Sequence, residues 1–188
     1  ATGTSITVPT TPFTPDANTV LLTCQGKTFQ DHSNNNQAIA RSGDSHISEI
    51  GPFGDGYWSN YFDNSGDYIT IPDDNSLRLG TEAFTIEAWI YPTWSSPDAN
   101  EPIVASGTTG AGTIYLNILS TSVVRFNHGS ASIASTGTIS PNQWTHIAVV
   151  REGTGTNQTK IYINGVNDGT GTSSSDLNST SGLRIGRN

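Results

Sequence analysis

The sequence predicts an all-β fold, a two-sheet antiparallel jelly-roll sandwich with an extended N-terminal arm. Residues 84–90 read Phe-Thr-Ile-Glu-Ala-Trp-Ile, the period-2 alternation of a strand packed on one face. Asn164-Gly165 lies between two apolar segments and matches a type I′ hairpin turn, which needs positive φ at both positions. Long segments with helical periodicity are missing, so strands and turns account for the pattern.

The N-terminal part divides into an arm and the start of one domain. Residues 1–19 are rich in Thr and Pro, and proline favours extended backbone, so we predict an arm over 1–19 and a domain over 20–188. Residues 20–24 predict the first strand, 29–36 a polar turn, and 38–50 a further short strand. The single cysteine, Cys24, ends an apolar run, which predicts a buried side chain and not a reactive thiol.

The rest of the chain alternates short apolar runs with turn residues, the pattern of a sandwich. The predicted strands are 68–71, 84–90, 103–105, 114–119, 123–127, 133–135, 144–151, 161–163, a strand beginning at residue 166, and 183–185. Apolar residues occupy both odd and even positions of strand 144–151, which predicts that both faces of this strand are buried. The residues expected to be mostly buried are Phe84, Ile86, Trp144, Val150, Ile161 and Ile163.

Composition restricts the possible partners. A net charge of −8 argues against nucleic acid and anionic membranes, because both require a basic surface. Apolar runs fall short of the roughly 20 residues of a membrane span, so no membrane insertion is predicted. Few charges among many Thr, Ser, Asn and Gly residues are typical of short-stranded proteins, and we expect a location on a virion surface or outside the cell.

Several segments together carry a resemblance to a known family. They are 57–72, 84–92, 140–151, 160–166, 177–181 and 183–187. In this order they resemble the laminin-G-like branch of the concanavalin A-like lectin/glucanase superfamily, as found in bacteriophage tail and virion surface proteins. The resemblance implies a non-catalytic structural and recognition module of a bacteriophage virion, tail-associated or capsid-decorating, with host-surface glycan as a candidate ligand. A lectin-like adhesin module of a secreted bacterial protein and a glycan hydrolase are the alternatives.

Carboxylate spacing argues against hydrolysis. Glycosidases need two carboxyl groups about 5–9 Å apart, and on this fold they share a strand face as Glu-x-Asp-x-Glu. Glu87 has no acid two residues away, and Asp73 and Asp74 are adjacent, so on a strand they would face opposite sides. We therefore predict that the chain is not an enzyme. His146, within an apolar strand, is expected to be a hydrogen-bonded structural residue.

Calcium is the metal that the sequence could hold. It takes carboxylate and carbonyl oxygens from loops, and Asp63 and Asp67 flank a loop of that composition. Loops 73–75 and 164–168 are further candidates. The resemblance extends to pentraxins, in which a calcium-binding Asp opens the strand that corresponds to the one after Asp67. The alternative is that Asp63 and Asp67 cap a turn through side-chain hydrogen bonds.

Two further predictions concern partners. Trp58 and Trp94 flank turns, where a tryptophan can stack on a sugar, contact a partner or cover a loop. Related laminin-G-like domains end in a closing strand that follows residues 183–186, and the sequence to Asn188 does not contain it. We therefore expect the arm, through Ile6, Val8 and Phe13, or an uncovered strand edge, to contact other virion proteins or copies of this chain.

Overall fold

The computed structural model describes residues 3–98, 100–107 and 112–186; residues 1, 2, 187 and 188 of the predicted arm and domain lie outside them. The described part is built from strands and one 3₁₀ turn at Asn75–Leu77. The strands are β1 (Ala40–Ser42), β2 (His46–Ser48), β3 (Ser59–Tyr61), β4 (Tyr68–Ile71), β5 (Phe84–Ile90), β6 (Asn100–Ala105), β7 (Ile114–Leu119), β8 (Val123–His128), β9 (Ala131–Thr138), β10 (Thr145–Arg151), β11 (Thr159–Ile163), β12 (Val166–Gly171) and β13 (Leu183–Ile185). This part contains no helix long and apolar enough to cross a membrane.

The strands form two main antiparallel sheets, so the predicted fold class is confirmed. A seven-stranded sheet has the order β1-β4-β13-β6-β7-β8-β9, and a four-stranded sheet the order β12-β11-β10-β5, beside a β2-β3 ribbon. The core lies between the two main sheets, where Leu116 and Phe126 of one sheet pack with Val149 and Ile161 of the other. All four side chains are almost fully buried, and this contact between the sheets stabilises the sandwich.

The strongest sequence signals correspond to the centre of the four-stranded sheet. β10 pairs with β5 on one side and β11 on the other, and all seven of its residues are buried, as its two apolar faces predicted. Asn164 and Gly165 form the predicted hairpin tip, with φ of 48° and 80°. Of the six residues expected to be buried, Val150 and Ile161 are; Phe84, Ile86, Trp144 and Ile163 are half-buried.

The prediction of a strand at 20–24 was wrong. The Leu22 amide donates to Asp31 Oδ1 at 2.9 Å, and the Leu22 carbonyl accepts from the His32 amide at 2.7 Å, so its hydrogen bonds go to a local turn. Cys24 has φ of 64°, which ends the extended conformation. Cys24 is half-buried, less than predicted, and burial raises the pKa of its thiol to about 12, which agrees with an unreactive thiol.

One side edge of the sandwich is closed by Asp168 of β12. Its Oδ1 accepts hydrogen bonds from the amides of Thr136 at 2.9 Å and Gly137 at 2.7 Å, which belong to β9 of the other sheet. Gly169 permits this approach, because a Cβ there would lie 2.5 Å from the Ala134 carbonyl oxygen. The two sheets are therefore joined along β9 and β12.

The N-terminal arm docks on its own chain. The Ile6 amide donates to the Gly165 carbonyl at 2.8 Å, and the Ile6 side chain packs on a cluster of Ala148, Val150 and Tyr162 on the outer face of the four-stranded sheet. Val8 lies against Gly165, and the Phe13 carbonyl accepts a hydrogen bond from the side chain of Gln25. Contact of these residues with another chain stays a prediction.

His128 at the end of β8 gives the fold a predicted sensitivity to mild acid. Its ring is 1% exposed and stacks on Phe126, and neither ring nitrogen has a hydrogen-bond partner. Burial, with the nearby Arg151 charge, lowers its pKa below the usual 6.5. Because the unfolded chain takes up the proton first, stability should fall as the pH drops below 6.5, with a slope of up to about 1.4 kcal/mol per pH unit.

Urea unfolding of the wild type and of His128→Phe between pH 7 and pH 5 would measure this dependence. Phenylalanine keeps the stacked ring and removes the titrating group, so the variant should lose most of the decline. Parallel curves for both proteins would show that another group is responsible.

Candidate functional site

The other edge of the sandwich is open. Within the described residues β5 pairs with β10 only, and the seven-stranded sheet extends beyond it through β13, β4 and β1. There, segment 21–29 packs on the inner side chains of β4, chiefly Ile69 and Ile71. Between this segment and β5 lies a cleft of about 1310 Å³.

The exposed apolar surface of the molecule is concentrated at this cleft. Six large apolar side chains are exposed in the described part, and five of them line the cleft: Val20, Ile50, Tyr57, Tyr61 and Tyr91. The sixth, Val166, lies beside the hairpin tip. Single exposed apolar residues are ordinary, but a contiguous set marks a ligand-binding groove or an interaction surface.

Both tryptophans predicted as binding residues line this cleft. Trp58 precedes β3, and its ring has the Lys27 ammonium 4.8 Å from its centroid, a cation–π contact. Trp94 follows β5 and packs on the core between the sheets. Two residues that are 36 positions apart in the sequence therefore line the same cleft, and both are half-buried.

The cleft is acidic. The charged residues that line it are the carboxylates Asp16, Asp63, Glu87, Asp98, Glu101 and Glu152, and the guanidinium of Arg151. Arg151 is fully buried and donates to four backbone carbonyls, so it offers little positive charge to a ligand. A ligand in the cleft is thus expected to be neutral or basic.

A comparison with protein families accounts for the fold. Residues 63–188 match a laminin-G-type family model described as the concanavalin A-like lectin/glucanases superfamily. The chain belongs to this superfamily. None of the curated protein sequences compared with it is significantly similar.

Solved structures that align with this chain include binding domains of botulinum neurotoxins. A type C toxin structure, from work on two ganglioside molecules in cell entry, aligns with a TM-score of 0.66 and 19% identity, over 88% of this chain and 41% of that chain. A type DC binding domain in complex with SialylT aligns with a TM-score of 0.62 and 18% identity, over 89% and 44%. Another, in complex with rat synaptotagmin II, aligns with a TM-score of 0.65 and 17% identity, over 92% and 44%. The chain spans less than half of each, and the similarity shows a lectin-like fold.

The two residues predicted to bind calcium, Asp63 and Asp67, lie close to a third aspartate, Asp44. Ligand atoms of Asp44, Asp63 and Asp67 lie within 4.8 Å of one another, at the turns before β2 and β4. Asp67 is 1% exposed and accepts from the amides of Ser45 at 2.9 Å and Asp63 at 3.1 Å. Burial acts to raise the pKa of Asp67, but these hydrogen bonds outweigh it and the pKa lies below 3.8. The group could hold a cation, and its hydrogen bonds also fit the turn-capping alternative.

Calcium binding at these aspartates has a direct test. If Asp44, Asp63 and Asp67 hold Ca²⁺ with the weak affinity of an extracellular site, 10 mM Ca²⁺ should raise Tm by about 4 °C. Mg²⁺ at the same concentration should have a smaller effect, because it demands octahedral geometry and keeps its waters. An Asp63→Asn variant should lose the response. If Ca²⁺ does not raise Tm, or if Mg²⁺ raises it equally, the turn-capping alternative would be favoured.

The other candidate loops have structural partners. Asp73 pairs with Arg78, Asp74 caps the 3₁₀ turn by accepting from the Ser76 amide at 2.8 Å, and Asp168 closes the sandwich edge. Glu87 lies 3.2 Å from His146 Nε2, and the His146 side chain is fully buried, so the expected hydrogen bond is present and the structural role stays a prediction. The structurally similar toxin chains are binding domains, and the absence of catalysis here stays a prediction.

Proposed function

We propose that this chain is a non-catalytic recognition module on the surface of a bacteriophage virion, tail-associated or capsid-decorating, and that it binds a host-surface glycan beside Trp58 and Trp94. The concentration of exposed apolar side chains at one cleft carries the binding role. The lectin-like fold supports a glycan as the ligand. The virion setting rests on the sequence resemblance and on the low-charge, Thr- and Asn-rich composition.

The cleft has the two kinds of group that bind sugars. Aromatic rings stack on the apolar faces of pyranose rings, and amides and carboxylates accept hydrogen bonds from hydroxyls. Trp58 and Trp94 supply the rings, and Asn64 and Asp98, whose side chains are hydrogen-bonded to each other at 3.3 Å, line the cleft with them. Lys27 lies over Trp58 and Lys160 pairs with Glu152, but carboxylates still outnumber cations at this surface, so a neutral glycan fits it better than a sialylated one. Gangliosides and SialylT are named for the similar toxins, so the preferred sugars are expected to differ.

The glycan-binding role predicts a large loss of affinity in a Trp58→Ala/Trp94→Ala variant. A stacked aromatic at the centre of a binding surface contributes about 2 kcal/mol, so removal of both should cost about 4 kcal/mol and weaken binding roughly 1,000-fold. An array of neutral and sialylated glycans should first identify neutral ligands, and calorimetry with the strongest of them would measure the loss.

Val166→Ser provides the control, since it removes an exposed apolar side chain outside the cleft lining. It should keep full affinity. An array without any bound glycan, or a double variant that binds like the wild type, would reject this function. For the virion setting, antibodies against the chain should label intact particles of a phage that encodes it.

A further inference from the structure

Arg125 lies on the outer face of the seven-stranded sheet and does not line the cleft. It belongs to β8, which pairs with β7 on one side and with β9 on the other. Its neighbours in the strand, Val124 and Phe126, pack in the core between the sheets. Because side chains alternate along a strand, Arg125 faces outward, at a position where both strand edges are already paired.

Two neutral amide side chains hold the Arg125 guanidinium in place. Its Nε donates to Asn117 Oδ1 at 3.3 Å, and its Nη2 donates to Asn100 Oδ1 at 2.9 Å. Asn117 is fully buried although it lies on this outer face, and its Nδ2 donates to the same Asn100 oxygen at 3.0 Å. These contacts use two of the five N–H donors of a guanidinium, so the group is oriented while donors remain for another acceptor.

The charge of Arg125 has no carboxylate beside it. The chain has 16 acidic and 8 basic residues, and Arg78 and Lys160 each pair with a carboxylate. Within the residues that the structure describes, Arg125 forms no such pair, and both of its hydrogen-bond partners are uncharged. A half-buried guanidinium that is oriented but not neutralised favours a bound anion, and its planar fork matches the two oxygens of a carboxylate.

The residues around Arg125 suit a sugar. Tyr115 of β7 and Asn127 of β8 lie opposite each other, and they share the outer face with Arg125. On β9, Ala134 lies opposite Arg125 and Ser132 lies opposite Asn127, and both of these small side chains are exposed. An aromatic ring, an amide and a hydroxyl beside a shallow open space can contact a pyranose ring and its hydroxyls.

We infer that this face binds an acidic glycan, with the carboxylate of a uronate on Arg125 and the sugar ring beside Tyr115 and Asn127. One guanidinium matches one carboxylate, and the net charge of −8 disfavours a densely charged polymer, so the uronate is flanked by neutral sugars. The shallow space beside Ala134 fits a uronate better than a sialic acid, which carries longer substituents. A peptide carboxylate fits less well, because β7 and β8 are paired on both sides and offer a peptide backbone no strand edge. The site lies outside the cleft and does not depend on the glycan proposed there.

An NMR titration of the isotope-labelled chain tests the inference. The probe is a hexasaccharide of alternating glucuronate and N-acetylglucosamine, and the control is the same hexasaccharide with its carboxyl groups reduced to alcohols. The probe should shift the resonances of β7, β8 and β9 around Arg125. The reduced form should bind roughly tenfold more weakly or more, because it loses a charge-assisted pair. Sialyllactose and a peptide of alternating Glu and Ala should also bind more weakly than the probe.

Matched protein variants test the role of the guanidinium. Arg125→Gln should weaken probe binding roughly tenfold or more, whereas Arg78→Gln, which removes the same charge from the ion pair with Asp73, should leave it unchanged. Arg125→Lys keeps the charge without the planar fork and should fall between. Ala134→Trp fills the open space beside Arg125 and should also weaken binding.

Four results would overturn the inference: no binding of the probe, shifts that fall outside β7–β9, a control ligand that binds as strongly as the probe, or an Arg125→Gln variant that binds like the wild type. The two glycan sites are separable. The Trp58→Ala/Trp94→Ala variant should keep probe binding, and Arg125→Gln should keep the neutral glycan of the cleft. Failure of the probe with an intact neutral-glycan result therefore rejects the Arg125 site alone, and the reverse result rejects the cleft alone.

Discussion

Replacing Arg151 by methionine is expected to lower the free energy of unfolding by about 3–5 kcal/mol. The side chain is fully buried at the end of β10. Its Nε donates to the Glu82 carbonyl at 2.8 Å, and its two Nη atoms donate to the carbonyls of Ser175 at 3.2 Å, Leu79 at 3.2 Å and Gly80 at 2.6 Å. Methionine fills the volume but leaves these carbonyls without a donor. The loss should therefore exceed that of a simple core truncation of the same size.

Urea unfolding at pH 7 would measure this loss, and Arg125→Met is the matched control. Arg125 is half-buried and donates to the side chains of Asn117 and Asn100, so its replacement should cost about 1 kcal/mol. Arg151→Lys, which keeps the charge with fewer donors, should fall between the two. A cost below 1 kcal/mol for Arg151→Met would show that water satisfies the carbonyls.

The residues that Arg151 holds also border the cleft. Leu79 lines the cleft, and the Arg151 guanidinium lies 4.7 Å from the centroid of the Phe84 ring, at the first residue of β5. The loop before β5 is thereby fixed at one end of the open edge. A ligand beside β5 would then meet a pre-organised surface, which reduces the entropic cost of binding.

The sequence predicted the elements whose signal is local. Alternation in β5, two apolar faces in β10 and the Asn164-Gly165 turn each depend on neighbouring residues, and the structure has all three. Residues 20–24 carry a comparable apolar run, yet they form no strand. The backbone amide and carbonyl of Leu22 are taken by Asp31 and His32, and a run of apolar residues does not show which partner its backbone will find.

The candidate site depends on contacts between residues distant in the sequence, which the spacing of residues along the chain does not reveal. Trp58 and Trp94 were selected singly because both flank turns, but only the open edge of β5 places them on one cleft. The approach of Asp44 to Asp63 and Asp67 likewise follows from the packing of two turns, and Asp44 had no signal of its own. The acidic lining could have been suspected from the net charge of −8, but its location could not.

Asp67→Ala is expected to cost about 3–4 kcal/mol, because the buried Ser45 amide and the partly buried Asp63 amide lose a charged acceptor. The carboxylate ties the turn before β2 to the turn before β4 through the amides of Ser45 and Asp63. Gly43 packs so closely on this carboxylate that a Cβ there would clash with Oδ1. Alanine therefore leaves both a cavity and two donors without acceptors.

Acid unfolding separates the charge of Asp67 from its packing. Because its pKa in the folded chain lies below the usual 3.8, its contribution is complete above about pH 4 and is lost as the pH falls through the folded value. Unfolding of the wild type between pH 5 and pH 2 should thus be steeper than that of Asp67→Ala. Asp63→Ala, which removes an exposed carboxylate bonded to the Ser65 amide at 2.8 Å, should cost at most about 1 kcal/mol. Equal losses for the two variants would mean that the turns are held by other contacts and that Asp67 is free to serve a ligand instead.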